Sequence, residues 1–102
     1  MPIETLPAAP HEIAADTWLI PTFAPDPAGG YISAHSMVIR GAEPVIVDTG
    51  CALVADQWLA DTFSVVEPAD VRWIFLSHDD HDHVGNVEAL LERCPDATLR
   101  VN

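Results

Sequence analysis

The sequence predicts an α/β protein, a mixed sheet with covering helices, and three observations carry that expectation. Val45, Ile46 and Val47 form a wholly apolar run suited to a strand buried on both faces. After Asp48-Thr49-Gly50 the pattern changes to helical spacing, with Leu53, Val54, Trp58, Leu59 and Phe63 gathered toward one side and Asp56 and Asp61 away from it. Residues 71–76 then return to a strongly apolar β-type run that ends abruptly in Ser77-His78. Strand, helix and strand in that order predict a parallel pair joined by a right-handed crossover.

The remaining elements follow from local signals. Residues 1–30 hold six of the nine prolines together with Gly29-Gly30, which predicts a winding lead-in interrupted by one short strand at residues 17–20. Residues 32–40 mix polar, apolar and β-branched side chains, and the turn Gly41-Ala42-Glu43 leads to Pro44 and the strand at 45–47, so a β-hairpin is expected. Residues 64–70 form a connector. A second helix is expected over 86–93, with Val84, Val87, Leu90 and Leu91 on one face, Glu88 in its first turn and Pro95 beyond its end. A last short strand is expected at 98–101. Residues 1–102 thus read as one domain, a lead-in at 1–30 followed by sheet and helices at 31–102. The sheet edge and helix faces left without partners give the pattern of a fragment.

Composition narrows the partners. At 102 residues with 49% hydrophobic residues the chain has enough apolar side chains for a core. Sixteen acidic residues against four basic ones, all arginine, give a formal charge of −12 and argue against nucleic acid or anionic membrane surfaces as partners. The first residues carry no basic or apolar leader pattern and no apolar run reaches the roughly 18 residues of a membrane span, so a cytoplasmic protein is expected. Cys51 and Cys94 stand in no metal-type spacing and are read as reduced thiols.

Three histidines and three aspartates fill positions 78–83, directly after an apolar strand and before a helix. Imidazole and carboxylate are the usual nitrogen and oxygen ligands of zinc, iron and manganese, and side chains at i and i+2 of an extended segment point the same way. His78 and Asp80 can therefore reach one ion, and Asp82 and His83 a second. A solvated acidic loop is the bland alternative, outweighed by the order of ligand types after an apolar strand. His11 and His35 lie outside any motif and read as surface or strand-packing residues, and the three tryptophans as core. Thr49 and Ser77 lack the surroundings of a nucleophile.

The segment from Ser77 to Asn86 resembles the metallo-β-lactamase superfamily signature His-x-His-x-Asp-His, with Asp80 in place of the second histidine, and Asp48-Thr49-Gly50 resembles the superfamily's earlier signature. The resemblance implies the first half of an αββα sandwich. It implies metal ligands His78, Asp80, Asp82 and His83, with Asp48 supporting them without coordinating and His81 beside them. The carboxylate at 80 is similar to the His-x-Glu-x-Asp-His pattern of flavodiiron proteins, which implies two metal ions, iron first, with zinc or manganese as alternatives. In that version oxygen or nitric oxide is the small-molecule substrate, and a flavin domain or electron-donor partner supplies electrons. The alternative is a dinuclear zinc-type hydrolase of esters, thioesters or amides, in which Asp82 binds metal and also accepts a proton. A third reading is a non-catalytic half-domain, because the further ligands of the family, two histidines and a bridging aspartate, have no counterpart after His83. The parent protein is then the enzyme and this chain alone is inactive. Self-association through exposed apolar helix faces stays open.

Overall fold

The computed structural model describes residues 9–77 and 86–101, and its elements are built around the strand-helix-strand unit that the sequence predicts. In chain order these are β1 (His11–Ala14), β2 (Thr17–Ile20), β3 (Phe23–Pro25), β4 (Tyr31–Ser33), β5 (Ser36–Ile39), β6 (Val45–Val47), α1 (Ala55–Phe63), β7 (Trp73–Leu76), α2 (Val87–Arg93) and β8 (Thr98–Val101). A six-stranded mixed sheet has the order β1-β2-β5-β6-β7-β8, antiparallel as far as β6 and parallel from β6 to β8. Strands β3 and β4 make a separate antiparallel ribbon.

Strand alternation decides what is buried. Ile20, Val38, Ile46, Ile74 and Leu76 form the core with Trp58 from α1 and Leu90 from α2. Burying such side chains contributes about 2 kcal/mol each, which is what holds two short helices that would not persist alone. The other face presents Leu19, Met37, Val47 and Phe75 in one register row. Phe75 is 37% exposed there, and Arg100 stacks its guanidinium 5.7 Å from the Trp73 ring. Both the mixed sheet and its covering helices agree with the expected architecture.

Several expectations need correction. The segment at 32–40 is not one strand. It breaks at Ala34 and His35, because the Ala34 amide donates to Thr22 O at 2.9 Å and the Thr22 amide donates to His35 Nδ1 at 3.0 Å. The chain before the break belongs to the ribbon and the chain after it to the main sheet. The lead-in carries β1 and β3 besides the expected strand at Thr17–Ile20. Leu53, assigned to the apolar side of the first helix, is 75% exposed, since a 3₁₀ turn at Ala52–Val54 precedes α1 and turns it outward. Val45 and Val47 are only half-buried, so β6 is not covered equally on both faces. The strand expected from residue 71 starts at Trp73, after a 3₁₀ turn at Pro68–Asp70.

Candidate metal centre

Strands β6 and β7 run parallel as neighbours, so their carboxyl ends bring Asp48 and Ser77 side by side. That end of a parallel sheet is where ligand-binding groups gather. Asp48 is buried and left-handed at φ 63°, a conformation that Asp tolerates better than most residues. The turn aims its carboxylate across to β7. Ser77 N donates to Asp48 Oδ1 at 2.9 Å, Ser77 Oγ donates to Oδ2 at 2.8 Å, and the Asp48 amide donates to Phe75 O at 2.8 Å. A buried carboxylate is tolerated only with such donors. Here the donors come from the residue that immediately precedes His78.

The next three residues reach the other flank of the same segment. Thr49 is fully buried. Its Oγ1 accepts from the Asn86 amide at 3.3 Å, and its carbonyl accepts from Asn86 Nδ2 at 2.7 Å. Asn86 Nδ2 also lies 3.4 Å from Cys51 O. Gly50 has φ +70°, and a Cβ there would stand 2.6 Å from Trp58 Cδ1, so the loop needs glycine for both its backbone and its contact with the indole. The indole is fixed in turn, because Trp58 Nε1 donates to Ser36 Oγ at 2.7 Å. Residues 48–51 therefore hold both Ser77 and Asn86.

His78, Asp80, His81, Asp82 and His83 all lie at 78–85, outside the described residues. Among the described residues no group of three or more His, Cys, Asp or Glu side chains could hold an ion. The donor chemistry fits a metal: three imidazoles and three carboxylates in the segment, and at the strand end before it an Asp48 whose oxygens accept from Ser77. Thr49 and Asn86 were not singled out as positioning residues by sequence reasoning. Asn before a helix reads as a cap, yet its side chain makes no cap hydrogen bond and turns back to residues 49 and 51.

The other polar residues play quieter parts. His35 accepts from the Thr22 amide and meets Phe23 edge to face at 5.0 Å, a packing role, and His11 is exposed. Cys51 and Cys94 are both thiols, and burial pushes the Cys94 thiol up to about 11 against an opposing effect of Arg93. A groove of about 470 Å³ lies at the opposite ends of β6 and β7, among Asp16, Arg40, Pro44, Glu67 and Asp70. A smaller one of about 200 Å³ lies between Thr22, Phe23, Val54 and Trp58. Among the described residues no helix is long and apolar enough to cross a membrane.

A mixed sheet with helices on one face, an Asp-Thr-Gly loop after one parallel strand and a sequence rich in His and Asp after the next define a partial αββα-type fold. The chain belongs to the metallo-β-lactamase superfamily, whose family model matches residues 29–102. A flavo-diiron protein from Clostridium acetobutylicum is 29% identical over 63 residues, 62% of this chain and 16% of that protein. Among solved structures, a fragment of a putative diflavin flavoprotein from Nostoc sp. PCC 7120 superposes with a TM-score of 0.78 at 19% identity, covering 88% of this chain and 40% of that one. The metallo-β-lactamase MIM-1 from Novosphingobium pentaromativorans gives 0.70 at 32% identity, covering 91% and 31%. The chain spans between 11% and 16% of the length of the curated relatives it matches.

Proposed function

We propose that this chain supplies four ligands of a dinuclear iron centre of flavodiiron type, His78 and Asp80 to one ion and Asp82 and His83 to the other. The carrying observation is the double hold of residues 48–51 on Ser77 and Asn86, which ties down both flanks of the only segment where histidine and aspartate alternate. Asp80 favours iron, since a carboxylate where the superfamily signature has imidazole adds a hard anionic donor and lowers Lewis acidity. Relatives of flavodiiron kind support the same choice. Iron bound there supplies redox chemistry toward oxygen or nitric oxide, with electrons from a flavin domain or an electron-donor partner.

This chain's own part is to bind and orient. Asp48 holds the end of β7 that leads in sequence to His78, both its oxygens accepting from Ser77, and the family pattern gives it a supporting rather than a coordinating part. The family pattern gives His81 a supporting part beside the ligands and counts Asp82 among them. The remaining ligands come from outside these 102 residues, since no histidine follows His83. Two ligands per ion hold metal loosely, so this chain alone is expected to be inactive.

The likeness to a metallo-β-lactamase at 32% identity favours a hydrolytic second reading, with zinc and with Asp82 as proton acceptor. Metal analysis of the protein that carries this chain, prepared with and without air, separates the two. Iron with an oxygen-sensitive absorption band supports the di-iron reading, and zinc at full occupancy with ester turnover overturns it. Metal content unchanged by H78A/H83A overturns both.

A further inference from the structure

We infer that Asn86, acting through Thr49, is a positioning residue for the metal ligands, and that residues 48–51 work as a two-ended clamp on the segment between Ser77 and Asn86. The inference rests on the ligand assignment above and adds a residue and a route to it.

Asn86 is 4% exposed and stands where α2 begins, yet none of its side-chain bonding serves that helix. Its Nδ2 donates to the carbonyls of Thr49 and Cys51, and its amide donates to Thr49 Oγ1. A buried amide side chain spent on two carbonyls of a remote loop fixes the distance between that loop and the start of α2. Thr49 adjoins Asp48, whose carboxylate fixes the end of β7 in the same way. The two holds are one residue apart, so they share one backbone. That backbone cannot shift toward α1, because Gly50 already lies against the Trp58 indole and the indole is bonded to Ser36. Asn86 is thus coupled to Ser77 through Thr49 and Asp48, across a segment that holds every proposed ligand. Ligand geometry depends on such supporting bonds, and losing one weakens metal binding by roughly 10- to 100-fold.

The test uses the full chain with Co²⁺ alone as the probe, read by its visible absorption, together with amide hydrogen exchange of the metal-free protein. N86A is expected to weaken Co²⁺ binding about tenfold and to speed exchange of the Ser77 and Asp48 amides while β2 amides keep their rates. Thr49→Val, which removes the Oγ1 acceptor, is expected to move both readouts in the same direction, and Thr49→Ser to restore them. The Val and Ser pair decides the matter if N86A fails to fold. Unchanged exchange at Ser77 and Asp48 in N86A and T49V overturns the clamp, even where Co²⁺ binding is too weak to measure. Wild-type Co²⁺ affinity in those variants, beside lost binding in H78A/H83A, overturns the positioning role and leaves the ligands standing. Wild-type binding in H78A/H83A overturns the ligand assignment itself.

Discussion

The two ends of β6 and β7 are built differently from the same pair of strands. At the amino ends Gly41, Ala42 and Glu43 are exposed, and the carbonyl of Pro44 alone takes the amides of Arg72 at 2.9 Å and Trp73 at 3.2 Å. A groove of about 470 Å³ opens there, yet its charged side chains stand at the surface. At the carboxyl ends Asp48, Thr49 and Gly50 are buried, and side chains carry most of the bonding. Burying polar groups is costly unless each finds a partner. The difference teaches that the network, rather than the larger hollow, marks the end where the protein must keep something in place.

Substitutions at matched positions can break or sharpen that comparison. The largest effect is expected for Gly50→Ala, where an unfavourable φ and a 2.6 Å approach to Trp58 coincide. The loss should be about 3 kcal/mol, read from the urea midpoint, and a loss below about 1 kcal/mol would show that the indole can move aside. Asp48→Asn comes next. Asparagine tolerates the same backbone but offers one acceptor oxygen for two Ser77 donors, so the cost should be about 2 kcal/mol, with faster exchange of the Ser77 amide.

The Cys94 thiol tests the interior beneath α2. It ionises at about 11 in the folded protein against an ordinary 9.0, so the folded state keeps its proton where the unfolded chain loses it. Its contribution is complete below pH 9 and is lost as pH rises toward 11. Between pH 8 and 10 the wild type should lose about 1 kcal/mol more than Cys94→Ala, and equal losses would contradict the buried thiol. The smallest effect is expected at the amino ends. Gly41 has open space around its Cα and no positive φ, so Gly41→Ala should raise stability by about 0.5 kcal/mol in the same urea assay.

The contrast also explains what could be read from the sequence. Strands with apolar runs, at 17–20 and 45–47, and the helix starting near residue 86 were legible because packing against the core imposes a period on them. Strand β1 was not, because His11 to Ala14 are all exposed and nothing selects their side chains by face. The ribbon of β3 and β4 was hidden because the break at Ala34 and His35 is set by bonds to Thr22, twelve or more residues away. Leu53 looked like core since its spacing suits a helix, but the 3₁₀ turn changes its direction. Within the site, Asp48 was visible through its motif. Thr49 and Asn86 were not, as residue type says nothing about a bond across 37 positions.

Strand β1 has a further consequence for how the molecule behaves at high concentration. Among the described residues it is the outermost strand on its side of the sheet, and its pairing with β2 slips between Glu12 and Ala14. The left-handed Asp16 follows at once, at φ 54°. A second molecule trying to extend the ladder along that border would meet an interrupted row of amides beside a carboxylate, so lateral stacking into fibrils finds no template there.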